Sequence, residues 1–438
     1  MLINERTSAG TRCRGRAAAA SLLVAALGLS ACVDSSRDEA IPSPTPGGND
    51  SPSQPSTPSD DEGFDVGALL TNVTDAIIIP NYTNLASAAT GFAADGGSLD
   101  VYCAAIDGAD EAARLADAQT DWRSLMTQVQ LSELHALGPA ADNGGALRNR
   151  VTSYAEDVVS TCGVDQSVVL AEGPDFDLQS RSINQRGMGA LDYLLFNTNL
   201  DHTCAPQVPT TQDWDARPDA ERKTARCELA KQIASDVADA ANAISTAWSP
   251  SGGDYRATFL DADDAGNSLQ TLTDAIFYIE DGGKDRKLGV PTGINDACSM
   301  TSCPELAESR FSGTSLANVR VNLESFIDLF NGATGLGFDD VINDAGFPEV
   351  TTRFQDNVAA TIAAIDATTV SLFDEVSGIT TAQDEANCMN SFGSPDTATD
   401  LPSCALVGLM KRITDDLRIE FVMIVNVELP ERVQSDND

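Results

Sequence analysis

Apolar residues recur at helical spacing over most of the chain. One stripe steps by four and three residues, which places its members on one face of a long helix; it consists of Leu229, Ile233, Val237, Ala240, Ile244 and Trp248. Two further stripes follow nearly the same spacing, and they consist of Phe354, Val358, Ile362, Ile365, Leu372 and Val376, and of Leu406, Met410, Ile413, Leu417 and Phe421. Each stripe predicts an amphipathic helix whose apolar face lies in a core.

A further long helix is predicted from Asp110 to Leu137, where Gly138-Pro139 forms a stop signal. Segments rich in glycine, asparagine and aspartate separate the helices, and alternating strand patterns with hairpin turns are scarce. The short apolar run Ala76 to Ile79 before Pro80 is ambiguous between strand and helix. The pattern as a whole predicts an all-α fold built of helix bundles.

The N-terminus has the parts of an export signal. A positive stretch comes first, with Arg6, Arg12, Arg14 and Arg16, and the apolar run Ala17 to Leu29 follows it. That run is too short to span a bilayer comfortably, which favours a cleaved signal over a transmembrane anchor. It ends in Leu29-Ser30-Ala31-Cys32, which resembles the lipobox of bacterial lipoproteins. We predict a lipoprotein signal peptide over residues 1–31 and acyl chains on Cys32; the alternative is an ordinary secretory signal with a chance cysteine.

Residues 32–63 are predicted to be a disordered tether between the lipidated cysteine and the folded body. The segment has almost no apolar residue to bury, and it contains Pro42, Pro44, Pro46, Pro52, Pro55 and Pro58 among serine, threonine, glycine and aspartate. Such a composition cannot offset the entropy lost on ordering. Val33, rather than aspartate, follows Cys32, so nothing indicates inner-membrane retention and we expect an exported protein on the outer membrane. The body is expected to cover residues 64–438.

The composition is strongly acidic, with 27 Lys and Arg against 66 Asp and Glu and a formal charge of −39. Removal of residues 1–31 takes away four arginines and one glutamate, so the formal charge becomes about −42. This excess of negative charge excludes nucleic acid and anionic lipid as partners of a basic face. It permits cation binding, although dense surface carboxylate also serves solubility.

Ten cysteines are present, of which Cys13 lies in the signal and Cys32 is the lipidation site. The eight that remain in an exported body predict four disulfides. Sequence proximity favours Cys103–Cys162, Cys204–Cys227, Cys298–Cys303 and Cys388–Cys404, among 105 connectivities. A zinc site is a poor alternative, because no Cys-x-x-Cys occurs and the histidines are His135 and His202 alone.

Several segments, in order along the chain, resemble the imelysin family of bacterial peptidase-like lipoproteins. They are Ile77-Ile78-Ile79-Pro80-Asn81-Tyr82, then Trp122-Arg123 with Glu133 and Gly138-Pro139, then Arg186 to Phe196, and later Lys287 to Gly293 and Glu308-Ser309 with Ser312 and Ser315-Leu316. Cys103 also lies where family members often carry a cysteine. The resemblance implies two packed helical-bundle halves, with a boundary near residues 200–255 and the signature near the cleft between them. It also implies an association with iron acquisition.

The signature itself departs from the family pattern. The motif Gly-x-His-x-x-Glu is represented by Gly187-Met188-Gly189-Ala190-Leu191-Asp192, so glycine stands in place of histidine and aspartate in place of glutamate. Positions i and i+3 share a helix face and could share a metal ion, but a glycine supplies no ligand. The peptidase activity implied by the resemblance is therefore not expected. Asp192, Glu133 and Arg186 are the candidate ligand or metal-binding residues, and none is assigned a catalytic role.

Other candidate sites are weaker. His135 follows Glu133 by two residues, about 200° around a helix, so the two side chains do not easily meet one ion. His202 is expected in a loop as a solvent-facing polar residue. The run Asp261 to Asn267 resembles a calcium loop but has Ala265 where an oxygen ligand belongs.

The sequence leaves three hypotheses for function. The first is a non-catalytic, membrane-anchored binding lipoprotein that holds an unknown ligand or an oxygen-liganded ion such as iron or calcium, with a role associated with iron uptake. The second is a metallopeptidase with a displaced metal site. The third is a surface protein with a structural or interaction role. The missing signature histidine favours the first over the second.

Overall fold

The computed structural model describes residues 64–430 and residue 433. The predicted signal peptide, the predicted lipidation site Cys32 and the predicted tether over residues 32–63 lie outside this range. Within the described part of the chain, no helix combines the length and the apolar character needed to cross a membrane.

Helices account for all the regular secondary structure of the described residues, so the predicted all-α fold is confirmed. The first eight are α1 Val66–Val73, α2 Ile79–Ala93, α3 Ser98–Ala105, α4 Glu111–Glu133, α5 Asp142–Val151, α6 Thr161–Leu170, α7 Gly187–Phe196 and α8 Asp219–Trp248. The others are α9 Tyr255–Phe259, α10 Ala265–Ile276, α11 Val290–Thr292, α12 Ser315–Asn331, α13 Phe338–Asp344, α14 Pro348–Ala367, α15 Leu372–Ser377, α16 Ala382–Gly393, α17 Pro402–Asp416 and α18 Val422–Val425. Segments with π-helical hydrogen bonding occur at Thr74–Ile78, Ile279–Gly289 and Leu417–Phe421.

The helices pack in two neighbouring groups that share one hydrophobic core. In the first group α2 packs against both α4 and α8, with α3, α5, α6 and α7 around them. In the second group α12 packs on α14, and α17 packs on α14, α16 and the π-helical segment Ile279–Gly289. Helix α4 also contacts α12, which joins the groups. The boundary near residues 200–255 stays a prediction, because a continuous core runs through both groups.

Two of the three apolar stripes lie on single helical rods, as predicted. All members of the stripe from Leu229 to Trp248 are buried on α8. The stripe from Leu406 to Phe421 is buried along α17 and the π-helical turn that continues it. Pro218 stands just before α8, where its missing N–H costs nothing, and Asp219 lies in the first turn, where its charge complements the helix dipole.

Three boundary expectations need correction. The stripe from Phe354 to Val376 is divided between α14 and α15, because the Ser371 hydroxyl accepts the N–H of Asp374 and begins a new helix. The helix predicted to reach Leu137 ends at Glu133, and Leu137 is extended ahead of Gly138-Pro139. The ambiguous run at residues 76–79 is helical and leads directly into α2.

The eight cysteines form four disulfides, as predicted, and the pairs Cys298–Cys303 and Cys388–Cys404 are confirmed. The other two predicted pairs are wrong. The structure joins Cys103 to Cys227 and Cys162 to Cys204. Packing of α3 against α8 brings together cysteines that are 124 residues apart, so distance along the chain was a poor guide there.

Candidate functional site

Helix α7 carries the signature, and its first turn depends on a glycine. Gly187 has a φ of +72°, and a Cβ atom there would lie 2.8 Å from the Val151 carbonyl oxygen. Glycine is the residue that adopts this conformation without strain. The turn sends α7 into the core, where Asp192 is buried together with the apolar residues that follow it.

The Asp192 carboxylate bonds to the segment that contains Phe311 and Ser312. It accepts the N–H of Phe311 at 3.1 Å and that of Ser312 at 3.0 Å. Asp192 thus fastens α7 to the segment before α12. Burial raises the pKa of Asp192 to about 6, against the lowering effect of these hydrogen bonds.

A small cavity, here called the signature cavity, lies beside this carboxylate. Its volume of about 20 Å³ is enough for one water or one ion. Gly189, Asp192, Glu308 and Arg310 are among the residues that line it. Burial lowers the pKa of Arg310, while the Asp192 charge opposes that change. The wall of the cavity therefore includes charged groups of both signs.

A larger open cleft adjoins the signature cavity, because Tyr154, Asp157 and Val158 line both. The cleft has a volume of about 470 Å³. Its carboxylates already have partners within the protein: Glu156 binds Arg148 at 2.7 Å, Asp157 accepts from Asn184 at 2.7 Å, and Asp285 binds Lys284 at 3.0 Å. The cleft gives solvent a route toward Asp192.

A buried ion cluster lies on the other side of Glu308. We call it the lysine cluster, and it consists of Gln130, Glu133, Lys287, Glu308 and Asn322. The Lys287 ammonium donates to Glu133 at 2.5 Å, to Asn322 Oδ1 at 2.8 Å and to the Gln130 side chain, and it lies 3.2 Å from Glu308. Lys287 is 1% exposed. An internal ammonium thus occupies a cage of oxygen atoms.

Glu308 has two carboxylate neighbours. It shares Lys287 with Glu133, and it lines the signature cavity with Asp192. Burial and the Glu133 charge raise the pKa of Glu308, and the Lys287 ammonium opposes this. Asn318 also donates to Glu308, at 2.9 Å.

The three sequence-predicted ligand residues are not brought to one point. Glu133 belongs to the lysine cluster and Asp192 to the signature cavity. Arg186, at the start of α7, donates to Gln179 at 2.6 Å and lies 3.8 Å from the buried Asp236 carboxylate. Arg186 is therefore held in an internal ion pair.

Lys287 and Glu308 were not among the sequence-predicted site residues, although the structure places them at its centre. Both begin segments that resemble the imelysin family, at Lys287 to Gly293 and at Glu308-Ser309. A charged residue inside a helical apolar pattern is a signal for a buried pair. Neither the partner nor the burial could be read from spacing, because the contacts join residues 154 apart.

The remaining candidates lie elsewhere. His135 is fully buried beside Asn81, and burial lowers its pKa to about 3, so its ring is neutral at physiological pH. His202 is in a loop, as expected, but only 15% of its side chain is exposed, and its Nδ1 accepts the N–H of Cys204. The run from Asp261 forms a short 3₁₀ turn and then α10, with the Asp261 carboxylate capping that turn.

The side chains at the signature and in the lysine cluster do not fit the metal site of a zinc peptidase. Such a site needs three protein ligands with an open position for water. Across residues 64–430, no three His, Cys, Asp or Glu side chains are grouped so as to hold a metal ion. Gly189 supplies no ligand, Glu133 is bound to Lys287, and Asp192 is bound to two backbone N–H groups.

Comparison with known proteins agrees with this architecture. The family model for imelysin, peptidase family M75, matches residues 78–391. The chain belongs to the imelysin family. An imelysin-like protein from Psychrobacter arcticus has a similar structure, with a TM-score of 0.58 and 15% identity over 83% of this chain and 96% of that one.

A second similar structure is a putative iron-regulated protein A precursor from Parabacteroides distasonis. It has a TM-score of 0.54 and 14% identity, covering 82% of this chain and 97% of that one. At these identities the structural likeness shows the fold alone. No curated protein matches the chain. The imelysin fold is thus shown, while the chemistry has to be argued from the side chains.

Proposed function

We propose that this imelysin-family protein is an exported, lipid-anchored binding protein without peptidase activity. The observation that carries the proposal is that both carboxylates predicted as ligands already have partners within the protein. Asp192 accepts two backbone N–H groups, and Glu133 accepts from Lys287. Hydrolysis of a peptide needs an activated water and a general base. Neither carboxylate is placed to supply them.

The ligand that suits the signature cavity is an oxygen-preferring cation, such as iron or calcium, bound weakly. Asp192 keeps lone pairs beyond the two that accept N–H groups, and Glu308 lines the same cavity. Carboxylate oxygens suit hard cations, but two carboxylates without imidazole make a poor zinc site. The name of the iron-regulated Parabacteroides protein supports a role associated with iron uptake.

The catalytic half of the proposal is tested with the mature chain, residues 32–438, purified with its disulfides oxidised. Unfolded protein substrates are incubated with it in the presence of zinc, iron or calcium. We expect no cleavage above background. Chelator-sensitive cleavage that disappears in Asp192→Ala would restore the metallopeptidase hypothesis.

The binding half is tested by equilibrium dialysis of the same chain against calcium and, without oxygen, ferrous iron. We expect weak binding that Asp192→Ala abolishes. The matched control is Asp121→Ala, because Asp121 is an exposed aspartate on α4. Loss of binding in both variants, or in neither, would show that the ion lies elsewhere.

Anchoring is tested with Cys32→Ser in the full precursor. The acyl chains supply the membrane affinity, so the variant should leave the membrane fraction. A variant that remains membrane-bound with residues 1–31 intact would contradict the lipid anchor.

A further inference from the structure

A second cavity lies within the first helix group, bounded by α3, α4, α7 and α8. It has a volume of about 230 Å³. Its walls are mostly apolar and include Leu115, Leu194, Leu195, Leu200 and Ala230. None of its lining residues lines the signature cavity. It is therefore a separate site.

One wall of this cavity carries a buried cation, Arg226, which is 3% exposed. Within the described part of the chain its guanidinium donates to two neutral oxygens, the Asn197 carbonyl at 3.2 Å and the Tyr193 hydroxyl at 3.1 Å. Its Nε has no hydrogen-bond partner among the described residues, a feature that Arg226 shares with other buried arginines. The Asp165 carboxylate lies 3.8 Å away, and it already accepts from Tyr193 and from Thr203.

Two other buried arginines can be compared with Arg226, and all three have an Nε without a hydrogen-bond partner among the described residues. Arg222, one turn earlier on α8, donates to Asp201 at 2.8 Å and to Asp219 at 2.7 Å. Arg186 binds Gln179 and faces Asp236. Neither of them lines a described cavity, whereas Arg226 does. Arg226 therefore differs from these two arginines in its position on a cavity wall, where a bound anion would add to its pairing with Asp165.

The rest of the cavity supports the same ligand chemistry. The Tyr102 side chain makes no hydrogen bond in the described part of the chain, and Tyr102 lines the cavity. Lys223 and Glu111 both line it as well, and they are paired with each other at 2.6 Å. Tyr102 and Arg226 each precede a cysteine of the Cys103–Cys227 disulfide, so this bond fixes the two polar walls relative to each other.

We propose that this cavity binds a short-chain organic carboxylate, with the carboxylate on Arg226 and the chain against the leucines. Charge-assisted hydrogen bonds from arginine to carboxylate are strong and directional. The volume is below the range of about 300–1,000 Å³ usual for drug-sized ligands, which selects a short chain. This site does not depend on the cation site proposed at Asp192.

The test uses hexanoate as the probe, with 1-hexanol and hexylamine as neutral and cationic counterparts of the same chain. Binding to the mature chain, purified with its disulfides oxidised, is measured by calorimetry. We expect saturable binding of hexanoate and at least about tenfold weaker binding of the other two. Equal binding of hexanoate and 1-hexanol, or no binding of hexanoate, would overturn the proposal.

Two variants locate the site. Arg226→Gln should weaken hexanoate binding by about tenfold or more, while Arg222→Gln, its neighbour on α8, should leave it unchanged. Leu115→Trp fills the cavity and keeps Arg226, so it should abolish binding even if Arg226→Gln fails to fold. Unchanged affinity in Leu115→Trp, or equal loss in Arg222→Gln, would place hexanoate elsewhere and sink the proposal.

Discussion

Two buried carboxylate neighbourhoods meet at Glu308, and they are neutralised in different ways. In the lysine cluster an ammonium lies among the oxygens of Glu133, Glu308, Gln130 and Asn322. In the signature cavity the Asp192 carboxylate accepts hydrogen bonds from Phe311 and Ser312 and faces a space that adjoins an open cleft. The first holds an ammonium between two carboxylates, and the second is open and titratable.

The difference separates a structural role from a functional one. Lys287 keeps α4, the π-helical segment and α12 in register, because each contributes a partner. Asp192 holds one segment of chain but keeps a raised pKa and a neighbouring cavity. Ligand binding is therefore expected at Asp192, and structural stabilisation at Lys287.

The largest effect is expected from Lys287→Met. This change leaves Glu133 and Glu308 buried without their cation, and breaking a buried pair in this way costs about 3–5 kcal/mol. The free energy of unfolding, measured in urea, should fall by about that amount.

The matched control is Lys231→Met, because Lys231 forms a more exposed pair with Asp100 on the same protein. Such pairs contribute about 0–1 kcal/mol. Equal losses in the two variants would mean that the lysine cluster is no more than a surface-like ion pair, and the comparison would fail.

The helices were predictable from the sequence where the spacing of apolar residues along one segment was sufficient to define them. The stripe on α8 was right because every fourth or third residue lies in one core. The stripe from Phe354 failed because spacing does not reveal that Ser371 caps a new helix. The pair Cys103–Cys227 also depends on which helices pack together, and no local pattern carries that information.

For the site, the sequence identified Asp192 and Glu133 but could not place them. The lost signature histidine was visible as Gly189 in the sequence itself. The sequence did not predict that Glu133 is paired with a cation, because that cation is Lys287, 154 residues away. Arg186 has its partner on α8, Asp236, which sequence spacing does not relate to it.

The second prediction concerns the pH dependence of stability. Burial raises the pKa of Asp192 to about 6, whereas the ordinary pKa of aspartate, which applies to the unfolded chain, is 3.8. Between these two pH values the folded protein keeps the Asp192 proton and the unfolded chain has lost it. The free energy of unfolding should therefore fall as pH rises from about 4 to about 6, by about 3 kcal/mol in total from this group.

Asp192→Asn, which does not titrate, should lack this part of the slope. Urea unfolding of both proteins between about pH 4 and pH 7 measures it, and the lost hydrogen bond adds only a constant offset. Parallel profiles for the two proteins would show that Asp192 is not the titrating group.

The smallest effects are expected at the two signature glycines, and they should have opposite signs. Gly187→Ala forces a residue with a Cβ into a φ of +72° and against the Val151 carbonyl oxygen, which should destabilise by about 1–2 kcal/mol. At Gly189 a Cβ would lie 3.5 Å from the Val159 Cβ, an ordinary contact, and alanine favours a helix by up to about 1 kcal/mol. Gly189→Ala should therefore stabilise the protein in urea unfolding. If it destabilises instead, the position left by the missing histidine has no room for a side chain, and the signature cavity is narrower than its lining indicates.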